Sequence, residues 1–140
     1  MAIRNMRDYL ILTNNPLVRD CMEGRGTYTI ELHEDRSLRE ILVMARNLVQ
    51  KGHTLYTHPL SGSVKPNETP YKSVIVSKVP HTLEPDQCEI ISNAIAVVDK
   101  FPEVHRKLPE QVLRDFQLID YSLLAGAIDF DAVAGLSNRL

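Results

Sequence analysis

The sequence predicts a single-domain α/β fold: a mainly parallel four-stranded sheet flanked by helices in a Rossmann-like three-layer arrangement, with an extra C-terminal helix. Three observations carry this expectation. Strand-like and helix-like segments alternate along most of the 140 residues, a length that suits one domain spanning residues 1–140. The first strand-like run, "YLILT", is almost continuously apolar, as strands covered on both faces are. Amphipathic helical segments also separate the early strands, and right-handed crossovers of this kind place successive strands parallel.

Taken in order, the apolar run at residues 9–13 reads as a central strand. Asn14, Asn15 and Pro16 then open a short helix over residues 16–23, because Asn caps the free N–H groups and Pro suits the first helical position. In "TYTIEL", Tyr28, Ile30 and Leu32 share one face and Thr29 and Glu31 the other, the alternation of a half-buried edge strand. Ser37 and Glu40 have capping-box spacing, and Leu38, Ile41, Leu42, Ala45, Leu48 and Val49 form the apolar stripe of a long helix. Gly52 stops that helix. "HTLYT" is extended, and after a polar stretch the β-branched Val74, Ile75 and Val76 form a further strand. Residues 83–101 carry Ile91, Ala94, Ile95, Val98 and Phe101 at helical spacing. A last helix from about Pro109 places Val112, Phe116, Ile119, Leu123 and Ala127 on one face, and the tail bearing Phe130, Val133 and Leu136 is a candidate partner or oligomer interface.

Composition narrows the function. A net charge of -2, with 44% hydrophobic and 24% charged residues, describes a globular protein without the basic footprint of a duplex nucleic-acid binder. No run approaches the length of a membrane span, and the short apolar run near the start falls below a signal-peptide core, so the expectation is a cytoplasmic protein with no membrane partner. Cys21 and Cys88 have no disulfide-framework or metal-ligand spacing. His53 and His58, an odd number of residues apart on an extended segment, point to opposite faces, and no metal site or cofactor is called for. Gly24 and Gly26 precede a strand and lack a third glycine, so they are no dinucleotide fingerprint.

The unusual feature is "HPLSGSVKPNETPYKS", residues 58–73, a long connection of a kind that is usually functional or disordered. Pro59, Pro66 and Pro70 stiffen it. Ser61, Gly62 and Ser63 can present N–H and hydroxyl groups to an anion, with Lys65 and Lys72 supplying charge. Because ligands of open α/β sheets lie beyond the carboxyl ends of the strands, this loop and the Asn14-Asn15-Pro16 turn meet at one sheet edge if the first and third strands are parallel neighbours. The candidate ligand contacts are therefore Thr13, Asn14 and Asn15 on the turn and His58, Ser61, Gly62, Ser63, Lys65, Asn67 and Lys72 on the loop. The structural alternative is a rigid Ω-type loop packed by Leu60, Val64 and Tyr71.

The segments "LTNNPLV", "KGHTLYTHPLSGSVKPNETPYKS" and "VIVS" resemble the GrdX family, small proteins associated with the glycine, sarcosine and betaine reductase systems of amino-acid-fermenting anaerobes. The resemblance spans residues 9–101 and carries no established activity or catalytic residue. It implies an accessory role beside reductases that handle small carboxylates and acyl phosphates. Three functions stay open at this point. The first is an accessory protein holding a small carboxylate, a phosphate or a reductase component through the loop and the turn. The second is an enzyme acting on a phosphate, acyl-phosphate or amino-acid-derived substrate, with Lys65, Lys72 or His58 as charged groups. The third is a scaffold or homo-oligomer built on residues 109–140.

Overall fold

The computed structural model describes residues 6–60, 65–66, 68–101 and 107–128. After a 3-10 turn at Met6–Asp8 come β1 (Tyr9–Thr13), α1 (Pro16–Met22), β2 (Thr29–Leu32), α2 (Leu38–Val49), β3 (His53–Leu55), β4 (Ser73–Pro80), α3 (Pro85–Asp99) and α4 (Glu110–Ile128). Local chemistry sets several boundaries. The Asn15 side chain accepts from the Leu17 N–H and Pro16 begins α1. Ser37 and Glu40 close a reciprocal capping box on α2. Gly52, at a φ of +100°, turns the chain from α2 into β3 in a conformation that side chains rarely adopt.

The sheet order is β2-β1-β4-β3. β1 runs parallel to β2, with Ile11 opposite Ile30, but antiparallel to β4, with Ile11 opposite Ile75. β3 is also antiparallel to β4. The expectation of a mainly parallel, Rossmann-like sheet is therefore corrected to a mixed sheet whose reversed strand is central. The cause lies in the connection before β4: a parallel neighbour needs a crossover, usually a helix, whereas residues 56–72 form no helix among the described positions and lead back along β3 as a long hairpin connection. β1 and β3 still point the same way, but β4 separates them, so they are not neighbours.

Helices cover both faces. Leu12, Val74 and Val76 pack with α2 and α3 through Ile41, Leu42, Ala45, Ile91 and Ile95. On the other face Tyr9, Ile11 and Ile75 pack with Val18 and Met22 of α1 and Leu124 and Ile128 of α4. The period-two alternation along β1 and β4 divides their side chains between the two cores. α4 departs from the sequence expectation: Asp120, Leu124, Ala125 and Ile128 are its buried residues, while Ile119 and Leu123 of the expected apolar stripe are exposed together with Leu118. The helix is turned because buried polar partners hold Asp120 against the sheet.

At the opposite end of β1, Asp8 ties three segments together. Its Oδ2 accepts from the Tyr56 hydroxyl at 2.6 Å and lies 2.8 Å from His81 Nε2, while Oδ1 accepts from the Lys78 N–H. Burial is the largest influence on Asp8 and pushes its pKa up, yet the hydrogen bonds from Tyr56 and His81 and the His81 charge outweigh it and hold the carboxyl below its ordinary value. Burial and the same carboxylate push the Tyr56 hydroxyl up to about 12.

These shifts set a pH window. The Tyr56 contribution is fully present below the unfolded tyrosine value near ~10 and is lost as pH rises toward about 12. The Asp8 contribution is present above the unfolded carboxylate value and is lost as pH falls through its lower folded value. Tyr56→Phe is expected to lower stability by about 1–3 kcal/mol near neutral pH. Urea titrations of both proteins check this: the gap should narrow in strong acid and in the alkaline window, and a pH-independent gap would contradict it.

Candidate functional site

The carboxyl end of β1 and the amino end of β4 meet with Thr13 opposite Ser73. Around this pair lies a cluster of buried polar side chains. Thr13 and Asn15 are fully buried, Asn14 nearly so, and Asp120 of α4 is 8% exposed. Asn15 Nδ2 donates to Asp120 Oδ2 at 3.0 Å and to the Gln117 carbonyl at 2.9 Å. Ser73 Oγ donates to the same carboxylate oxygen at 2.7 Å. Because Ser73 has a single proton, the 2.7 Å contact with Thr13 requires the Thr13 hydroxyl to donate to Ser73, and Thr13 Oγ1 in turn accepts from the Asn15 N–H. The result is a directed chain of donors ending on a carboxylate, in which each bond polarises the next.

Asn14 faces the other side of the junction. Its amide donates to the Arg36 carbonyl at 2.9 Å and to the Pro70 carbonyl at 2.8 Å, and its Oδ1 accepts from the Lys72 N–H at 2.9 Å. One side chain thereby joins the end of β1, the entry to α2 and the end of the long loop. Both amide protons and the carbonyl oxygen of Asn14 are taken up by protein partners, as are those of Asn15. The turn therefore sits behind the loop and fixes it.

In front of this junction is a pocket open to solvent; the space between its walls, the solvent-open part included, is about 400 Å³. Leu60, Pro66, Thr69, Tyr71 and Lys72 contribute from the loop, Leu38 from α2, and Phe116, Ile119, Asp120 and Leu123 from α4. Polar capacity remains on these walls. Tyr71 accepts at its oxygen from Gln117 Nε2, and Thr69 Oγ1 accepts from the Tyr71 N–H, so each hydroxyl proton has no partner among the described residues. Lys72 is half-buried, with no hydrogen bond or ion pair from Nζ among the described residues. Burial pushes its pKa below the ordinary lysine value, against the pull of the nearby Asp120 carboxylate.

Of the described residues expected from sequence to contact a ligand, Lys72 alone lines this pocket. Thr13, Asn14 and Asn15 are buried beneath it. His58 is exposed and its Nδ1 accepts from the Leu60 N–H, while Lys65 is exposed on a turn closed by the Glu68 N–H. Ser61, Gly62, Ser63 and Asn67, like Val64 and the tail beyond residue 128, lie outside the described residues. Asp120, Ser73, Thr69 and Tyr71 were not among the expected contacts. Asp120 does leave a trace in the sequence: it shares helical spacing with Phe116, Leu124 and Ile128, a lone acid within an apolar stripe. Among the described residues no group of three or more His, Cys, Asp or Glu side chains is placed to hold a metal ion. Cys21 and Cys88 are free and half-buried. No helix among the described residues is long and apolar enough to cross a membrane.

Fold and site together define a mixed-sheet α/β protein in which a proline-stiffened hairpin connection and a C-terminal helix enclose a small pocket. Residues 10–129 match the model of the GrdX-like protein family, and the chain belongs to that family. The match continues through α4 and so includes Asp120, beyond the part that the sequence motifs identified. Searches of curated proteins and of solved structures find no match.

Asn14→Ala is expected to strip three hydrogen bonds from the junction and to lower stability by about 2–4 kcal/mol, since the Lys72 N–H and two carbonyls lose their partner. Urea denaturation measures the change, and a loss below about 0.5 kcal/mol, typical of a neutral surface position, would contradict this role.

Proposed function

We propose that this GrdX-like chain is a cytoplasmic accessory protein that binds a small anionic metabolite in the pocket between the 58–73 loop and α4. The observation that supports the proposal is that Thr69, Tyr71 and Lys72, whose hydroxyl protons and ammonium have no partner among the described residues, all line this pocket beside apolar residues of α2 and α4. A concave site that combines apolar walls with a few polar groups suits small-ligand binding. The Asn14-Asn15-Pro16 turn serves this site from behind, by holding the Lys72 backbone. For the enzymatic alternative, the charged groups available at this pocket among the described residues are Lys72 and Asp120, since His58 and Lys65 do not line it.

A second reading is favoured by one observation: Leu118, Ile119 and Leu123 leave a run of α4 apolar and exposed, as an interface with another copy or with a reductase component would. Sedimentation of the full chain addresses it, and a monomer at every concentration, with no complex formed on adding a reductase component, would remove it.

For the binding function, phosphate, sulfate and short carboxylates provide a screen by thermal denaturation. At least one is expected to raise the Tm by about 3–6 °C at roughly tenfold excess over its Kd. Lys72→Met should remove most of that rise while leaving the unliganded protein folded. A Tm unmoved by any of these ligands would overturn the proposal.

A further inference from the structure

The charges lining the same pocket also restrict the class of its ligand, an inference that rests on the binding function proposed for it. The donor wall does not stand alone. Asp120 also lines the pocket, and its charge is near enough to bear on Lys72. Asp120 Oδ2 already accepts from Asn15 and Ser73, whereas Oδ1 has no hydrogen-bond partner among the described residues. Lys72 and Asp120 make no ion pair that would use up both charges. The pocket is therefore lined by one basic and one acidic side chain.

A simple anion in such a pocket gains from Lys72 and the two hydroxyls but is opposed in part by Asp120. A cation meets the reverse. A molecule with both signs, oriented with its anionic end toward Thr69, Tyr71 and Lys72 and its cationic end toward Asp120, gains from both and leaves neither charge uncompensated. The remaining lining from Leu60, Phe116, Ile119 and Leu123 is apolar and suits a hydrocarbon side chain.

From this arrangement we infer that the ligand is a small dipolar metabolite of the α-amino-acid class, its carboxylate held by the loop donors and its ammonium by Asp120. Asp120 thus has two tasks, orienting Ser73 and Asn15 through one oxygen and selecting a cationic group with the other.

Isothermal titration of the full chain with matched compounds tests this: alanine and valine, propionate without the ammonium, N-acetylalanine with the amine blocked, ethylamine without the carboxylate, and inorganic phosphate. The expected result is that alanine or valine binds at least roughly tenfold more tightly than propionate, N-acetylalanine or ethylamine, a difference of about 1.4 kcal/mol. Tyr71→Phe should weaken alanine and propionate alike, whereas Asp120→Asn should weaken alanine and leave propionate unchanged or tighter. Because Asp120→Asn also alters the buried cluster, the comparison among ligands on the unmodified chain stands even if that variant fails to fold. Propionate or phosphate binding as tightly as alanine would overturn the amino-acid assignment while preserving the anion site. Ethylamine binding as tightly as alanine would overturn it in favour of a cation site, and no binding by any compound would overturn both.

Discussion

A carboxylate taken out of water must be met by donors, or its burial costs more than the packing around it returns. Asp120 is the only buried charged side chain among the described residues, and its environment follows from that requirement. Ser73 at the start of β4 and Asn15 at the start of α1 both donate to one of its oxygens, and Thr13 at the end of β1 completes the chain. Three elements distant in sequence are thereby held at one sheet edge. The orientation of α4 has the same origin: with Asp120 turned inward, Leu124 and Ile128 enter the core and the Ile119 and Leu123 side is left to form the pocket wall.

Asn14 carries the constraint to the loop. A long connection between antiparallel strands loses conformational entropy when it is ordered, and Pro59, Pro66 and Pro70 reduce that cost by restricting the unfolded chain as well. The hydrogen bonds that the Asn14 side chain donates to the Pro70 carbonyl and accepts from the Lys72 N–H then fix the loop where it enters β4. Under the binding function proposed above, local rigidity of this kind in the loop backbone leaves less ordering to oppose binding.

Much of the fold is legible in local chemistry. The capping box on α2, the Asn15-Pro16 start of α1 and the left-handed Gly52 are decided by residues a few positions apart, and each forms where the sequence places it. Sheet direction is different, because it depends on where a connection returns the chain. A helical crossover and a long non-helical hairpin both follow an extended segment, and the apolar run at Val74–Val76 suits a central strand of either direction. The site shows the same division. The position of Lys72 in an unusual loop is visible in the sequence and the structure places it on the pocket wall, but Asp120 acquires its partners only through tertiary contacts with residues 15 and 73. The turn residues Thr13, Asn14 and Asn15 mark the correct sheet edge by their polarity, yet that polarity is satisfied within the protein, a distinction that single-sequence patterns do not carry.

The central claim is that the loop's final residues belong to the core through Asn14 and are not part of a mobile connection. Amide hydrogen exchange at Lys72 in the unliganded protein measures this most directly, because that N–H donates to the Asn14 side chain instead of a strand neighbour. The Lys72 amide is expected to be protected to a similar degree as the Val74 and Val76 amides, which lie opposite Leu12 and Leu10 of β1, opening only with the sheet. Exchange at the rate of an unprotected loop amide, with β4 still protected, would contradict the claim.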